Sequence, residues 1–100
     1  MATRKEILAF LARNKEMFRA NFGIVKIGLI GSYARNEQSI DSDLDLIVEF
    51  ENNTPNLHDV KKELKEYIRT KLNIEVDVCR EKYIKPIFKD SILKEAVYVE

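Results

Sequence analysis

Cysteine is almost missing from this chain: Cys79 is the only one among 100 residues. A single thiol excludes an internal disulfide and a cysteine-built zinc site, and it agrees with a reducing compartment, so the cytosol is the expected location. Histidine is equally scarce. His58 stands alone at the start of a helix face expected to be solvated, where a surface role outweighs a catalytic one. The two prolines, Pro55 and Pro86, fall where elements begin or end, and no repeat, linker or low-complexity segment interrupts the chain. Net charge is absent as well, because 17 Lys and Arg are offset by 17 Asp and Glu. Without a basic field, neither direct nucleic-acid binding nor attraction to a membrane surface is expected. No apolar run approaches membrane-spanning length. Residues 1–6 read as neither a signal peptide nor an anchor, since Arg13, Lys15, Glu16 and Arg19 interrupt the apolar residues behind them.

What remains is the composition of one globular domain over residues 1–100. A chain of this length buries roughly two-thirds of its unfolded surface. Thr3 and Glu6 have capping-box spacing, and Ile7, Leu8, Leu11, Phe18 and Phe22 recur near the helical period. They predict a first helix over 4–20, closed by Asn21 and Gly23. The β-branched run 24–30 predicts a strand. Leu57, Val60, Leu64, Tyr67 or Ile68, and Leu72 form the apolar stripe of a second covering helix, with Lys61, Lys62, Lys65 and Glu66 toward water. Residues 74–79 alternate as another strand. Pro86 then opens a last helix in which Ile87, Phe88, Ile92, Leu93 and Ala96 are apolar, ahead of 97–99. Strands alternating with helices give an α/β or α+β class with a small mixed sheet.

The densest chemistry lies between Gly31 and Asp45. Gly31-Ser32-Tyr33-Ala34-Arg35 comes directly after the first strand, where the chain must reverse. Gly31 permits close approach of a ligand to the backbone, Ser32 offers an N–H and a hydroxyl, and a short helix opening here aims its positive end at an anion such as a phosphate. Arg35 is a candidate extra counter-charge, with a surface ion pair as the equal alternative. Downstream, Leu44, Leu46, Val48 and Phe50 alternate with Asp43, Asp45, Ile47 and Glu49, so Asp43 and Asp45 share one face of a strand. Two such carboxylates repel unless a cation lies between them, and magnesium, which leaves positions for water and substrate phosphates, suits them best. A calcium loop starting at Asp41 is disfavoured, because Leu46 stands where Gly is needed and Asn52 where Glu is needed.

Asp77, on the 74–79 strand, joins Asp43 and Asp45 if the two strands are neighbours with their apolar sets on the same side. Three carboxylates could then hold two metal ions about 3.5–4 Å apart and act on both oxygens of a displacement at phosphorus. Asp43 and Asp45 would bridge the ions, and Asp77 would bind the one that activates an acceptor hydroxyl. The Gly31-Ser32 turn would hold the β- and γ-phosphates while pyrophosphate leaves. Tyr33 is expected to pack rather than act, and Cys79, without a histidine companion, is read as structural or incidental.

Gly31-Ser32, ten intervening residues, Asp43-Leu44-Asp45 and a later strand carrying Asp77 resemble the minimal nucleotidyltransferases of the DNA polymerase β superfamily. The ending Ile92-Leu93-Lys94-Glu95-Ala96-Val97 looks like that family too, so the resemblance covers nearly the whole chain. It implies a nucleotidyltransferase fold, with helices on one face of the sheet and an open acidic face. It further implies Asp43, Asp45 and Asp77 as catalytic metal ligands for two Mg2+ ions, Gly31 and Ser32 as the nucleotide-phosphate motif, and ATP as substrate. Asn36 replaces the more usual glycine after the arginine, and asparagine tolerates the left-handed conformation such a turn requires. The chain lacks the second domain that usually helps hold base and acceptor. In this it resembles the small partners of HEPN toxins, which neutralise those ribonucleases by transferring AMP from ATP to a toxin tyrosine. Neutralisation by binding alone, and transfer to a small molecule or an RNA end, are the competing readings.

Overall fold

Two seven-residue strands, β1 (Ile24–Ile30) and β2 (Leu44–Phe50), form the centre of the computed structural model, which describes residues 2–99. They pair antiparallel, with Leu29 opposite Leu46 and Ile27 opposite Val48. β3 (Val76–Arg80) runs parallel to β2 on one side, and β4 (Val97–Tyr98) runs antiparallel to β1 on the other, giving the order β3-β2-β1-β4. A parallel neighbour needs a crossover. Here it is α4 (Leu57–Leu72), the amphipathic helix expected over those residues, with Leu64 and Ile68 buried.

The first helix is not continuous over 4–20. It divides into α1 (Arg4–Arg13) and α2 (Lys15–Phe22) at Asn14, whose backbone leaves the helical region at φ −99° and ψ 3°. Asn14 Nδ2 donates to the Phe10 carbonyl at 2.8 Å while its Oδ1 accepts from Tyr67 Oη at 3.1 Å. A side-chain amide that competes locally for backbone partners bends a helix, and this one also pins the bend to α4. The Thr3–Glu6 capping box is present with both bonds at 3.1 Å, and Gly23 ends α2 as expected. Ile7, Leu11, Phe18, Leu29, Leu46, Leu64 and Ile68 are fully buried together, so α1, α2 and α4 cover one face of the sheet. Each such side chain contributes about 1.5–3 kcal/mol by leaving water.

The opposite face is open only in part. Ile30 and Ile47 lie on it yet are buried, where α5 (Pro86–Glu95) packs on β1 and a single 3-10 turn (Glu81–Tyr83) packs on β2. At Gly28 the fold has no room for a side chain: an added Cβ would stand 2.8 Å from the Val97 carbonyl oxygen, so β4 can close on β1 only over a glycine. A bulge at Val25 shifts the β1–β2 register between Ile24 and Lys26. Ile92, Leu93 and Ala96 are partly buried, whereas Ile87 and Phe88, counted with them in the apolar set of this helix, stand 82% and 55% exposed. Arg80, just after the acid of β3, is buried at the end of the sheet, 3.4 Å from Glu49.

Candidate active site

β1 delivers the chain directly into α3 (Gly31–Ala34), a single helical turn whose first residue has φ +73°. A second constraint acts on Gly31. An added Cβ would lie 2.5 Å from Asp45 Oδ2, so the glycine is needed for its neighbour as much as for its dihedral. Asn36 closes the turn at φ +59°, in the left-handed conformation expected of it, and the Glu37 N–H donates to the Ser32 carbonyl at 2.8 Å. Tyr33 is buried, as its packing role requires.

Strand register brings the parts together. Ile30 is opposite Asp45 across the β1–β2 pair, and Asp45 is opposite Asp77 across the β2–β3 pair. Asp45 therefore stands between the glycine turn and Asp77. Asp43 precedes the first residue of β2, whose N–H donates to the Glu75 carbonyl at 2.8 Å. Asp43 and Asp77 are exposed and Asp45 is half-buried. Burial pushes the Asp45 carboxyl above the usual carboxylate range, Asp77 and then Asp43 push it further, and Arg35 opposes them. The Asp77 Oδ1 accepts from its neighbour's Val78 N–H at 3.1 Å. Among the described residues, no three His, Cys, Asp or Glu side chains are drawn close enough to hold an ion as they stand. Asp45 and Asp77 stand opposite one another on neighbouring strands, with Asp43 two residues before Asp45. As a donor set of hard oxygens at one exposed rim, they fit magnesium.

Glu95 does not stand out in the sequence, yet it is the residue that organises the turn. The Gly31 N–H donates to Glu95 Oε1 at 3.0 Å, and Arg35 Nη1 donates to Glu95 Oε2 at 2.8 Å. Arg35 Nε meets Glu37 Oε1 at 2.7 Å, so the arginine is held by two carboxylates and its charge is reinforced first by Glu95 and then by Glu37. The signal for Glu95 lies in the pairing of β4. Gly28 faces Tyr98 and Leu29 faces Val97, and continuing that count sets residue 95 opposite Gly31. Cys79 has its thiol pushed up by burial and then by Asp77, which keeps it protonated and un-nucleophilic. A cleft of about 510 Å³ opens beside Asp43, lined by Tyr33, Ser42, Leu72 and Asn73 among others. A larger groove of about 950 Å³ lies along α2 and the start of β1, away from every acid of the site.

A short sheet with a glycine-serine turn at the end of one strand and acids in register on the next two is the layout of a nucleotidyltransferase. Residues 10–99 match the family model described as the nucleotidyltransferase domain, and the chain belongs to that family. It is 37% identical over 99 residues to the protein adenylyltransferase MntA of Thermococcus cleftensis, covering 99% of this chain and 98% of that one. It is 40% identical over 101 residues to a candidate protein adenylyltransferase of Methanocaldococcus jannaschii, covering 99% of this chain and 100% of the relative. A solved structure assigned as a minimal nucleotidyltransferase superposes with a TM-score of 0.76 at 30% identity, covering 96% and 95% of the two chains. The fold is shared, at 21% identity and a TM-score of 0.66, with a toxin–antitoxin crystallised with AMP-PNP, over 84% of this chain and 67% of that one.

Proposed function

We propose that this protein is a magnesium-dependent protein adenylyltransferase that moves AMP from ATP to a hydroxyl, that of a tyrosine, on a HEPN-type ribonuclease toxin, and so serves as its antitoxin. The observation that carries the reading is the position of Asp45, in register with Asp77 and with its Oδ2 against the Cα of Gly31. The naming of a full-length relative as a protein adenylyltransferase supports the choice of acceptor class, and the fold shared with a toxin–antitoxin supports the choice of partner.

Asp43, Asp45 and Asp77 would hold two Mg2+ ions, which when bound neutralise phosphate charge and make the acceptor hydroxyl more acidic. Ser32 contributes its N–H and hydroxyl to the phosphates, because the Gly31 N–H is already committed to Glu95. Arg35 keeps the turn in shape through Glu95 and can exchange Glu37 for a phosphate oxygen without leaving its place. The acceptor oxygen attacks the α-phosphorus, the bond from that phosphorus to the bridging oxygen breaks, and pyrophosphate departs with the bond's electrons. The hydroxyl proton passes to the exposed Asp77 carboxylate at Oδ2, the oxygen not engaged by Val78.

Incubation with ATP labelled at the α-phosphate, Mg2+ and the cognate toxin is expected to label the toxin, and Asp43→Asn/Asp45→Asn is expected to abolish the label. An unlabelled toxin, or equal labelling by that variant, contradicts the proposal. Protection of cells by the double variant would favour neutralisation by binding alone.

A further inference from the structure

Solitary exposed apolar side chains are ordinary, but three large ones within six residues are not. Tyr83, Ile87 and Phe88 are 69%, 82% and 55% exposed, and α5 contributes no fully buried residue. The Tyr83 ring has the Arg80 guanidinium 5.3 Å and the Lys82 ammonium 5.4 Å from its centre. A tyrosine, with only two side-chain torsions, loses little freedom on being covered, which is the property of an interface anchor.

Charge around this patch is one-sided although the whole chain is neutral. Lys82, Lys85, Lys89 and Lys94 lie along the segment. Of its acids, Glu81 faces Lys26 at 3.5 Å and Tyr98, and Glu95 is committed to Gly31 and Arg35, which leaves Asp90. A second copy seated by a two-fold axis on this patch would set lysines against lysines. The complementary surface is apolar at its centre and carboxylate-bearing at its edge. The far end of the same helix meets the glycine turn through Glu95, and the stretch from Phe88 to Glu95 spans roughly 10 Å of helix.

We propose that Tyr83, Ile87 and Phe88, rimmed by Lys82, Lys85 and Lys89, form the docking surface for the acceptor protein, whose matching face is apolar with an acidic border. The partner's role as acceptor rests on the transfer reading above. The location of the surface does not.

The test uses the full chain recovered from its native cells together with the protein bound to it. Amide exchange over 82–89 is expected to slow several-fold in the complex relative to the chain alone. Ile87→Asp/Phe88→Asp is expected to lose the partner while binding magnesium and AMP-PNP as the native chain does, and Lys85→Glu/Lys89→Glu to weaken the complex and flatten its salt dependence. Protection over 82–89 with no nucleotide transferred keeps the surface and removes the transfer reading. Labelled partner with exchange over 82–89 unchanged does the reverse. Recovery of no partner, protection of 82–89 in a dimer of the isolated chain, or protection only by phosphatidylcholine–phosphatidylglycerol vesicles overturns the docking proposal.

Discussion

Asp45 is the residue at which stability and chemistry pull apart. Its folded-state pKa lies above its unfolded value, so in the interval between them the fold holds a proton that the unfolded chain has lost. Stability contributed by this group therefore falls as pH rises through that interval and stays low above it. Asp45→Asn is expected to raise the melting temperature at neutral pH by roughly 2–5 °C, the scale of a sub-kcal/mol gain in a domain of this size, while ending nucleotide transfer. Added Mg2+ should stabilise the native chain and leave the variant unmoved, which a thermal-shift titration reads directly. Glu95 invites the opposite experiment. Glu95→Ala removes both contacts to the turn and is expected to raise the nucleotide KM roughly tenfold at similar thermal stability, whereas Glu95→Gln, which can still accept from Gly31, should recover much of the loss. An unchanged KM in the alanine variant would reduce Glu95 to a bystander. Asp43, Asp45 and Asp77 can be picked out because the period of a strand fixes which side chains share a face, and Gly31 and Ser32 because they follow a strand where the chain must reverse. Glu95 cannot, because its role depends on a hydrogen bond between residues 64 apart in the chain.

Among the elements, α4 follows its apolar stripe, and β1 and β2 follow the strand pattern on their core face, although Ile30 and Ile47 are buried on the opposite face as well. The single long helix expected over 4–20 is where that pattern misleads. Apolar periodicity passes through Asn14 without a break, and only the tertiary bond to Tyr67 reveals the bend. The short β4 is also hard to read, since two residues carry little period and their pairing depends on the missing side chain at Gly28. Gly28→Ala is expected to destabilise the fold by roughly 1–3 kcal/mol, as overpacking does. Its signature would be local: β4 moves off β1, and the Tyr98 hydroxyl, pushed up to about 12 by burial and by Glu81, falls back toward the ordinary tyrosine range. Ultraviolet titration of the phenolate separates that outcome from a uniform loss of stability. Because Glu95 directly precedes this strand's approach, transfer activity should fall with it.

Across the whole molecule, the neutral sum of charges hides a division of labour. Carboxylates gather at the rim where β2 and β3 begin, and Lys82, Lys85 and Lys89 lie around the start of α5. None of the helices among the described residues is long and apolar enough to cross a membrane. The central claim is that the acids of two strands hold a pair of cations beside the turn on which a triphosphate tail rests. Electron paramagnetic resonance with Mn2+ in place of Mg2+ tests it most directly. The account predicts two spin-coupled ions per chain in the presence of AMP-PNP, fewer without nucleotide, and none held by Asp43→Asn/Asp45→Asn. Bound manganese that ignores both the nucleotide and those substitutions would contradict it.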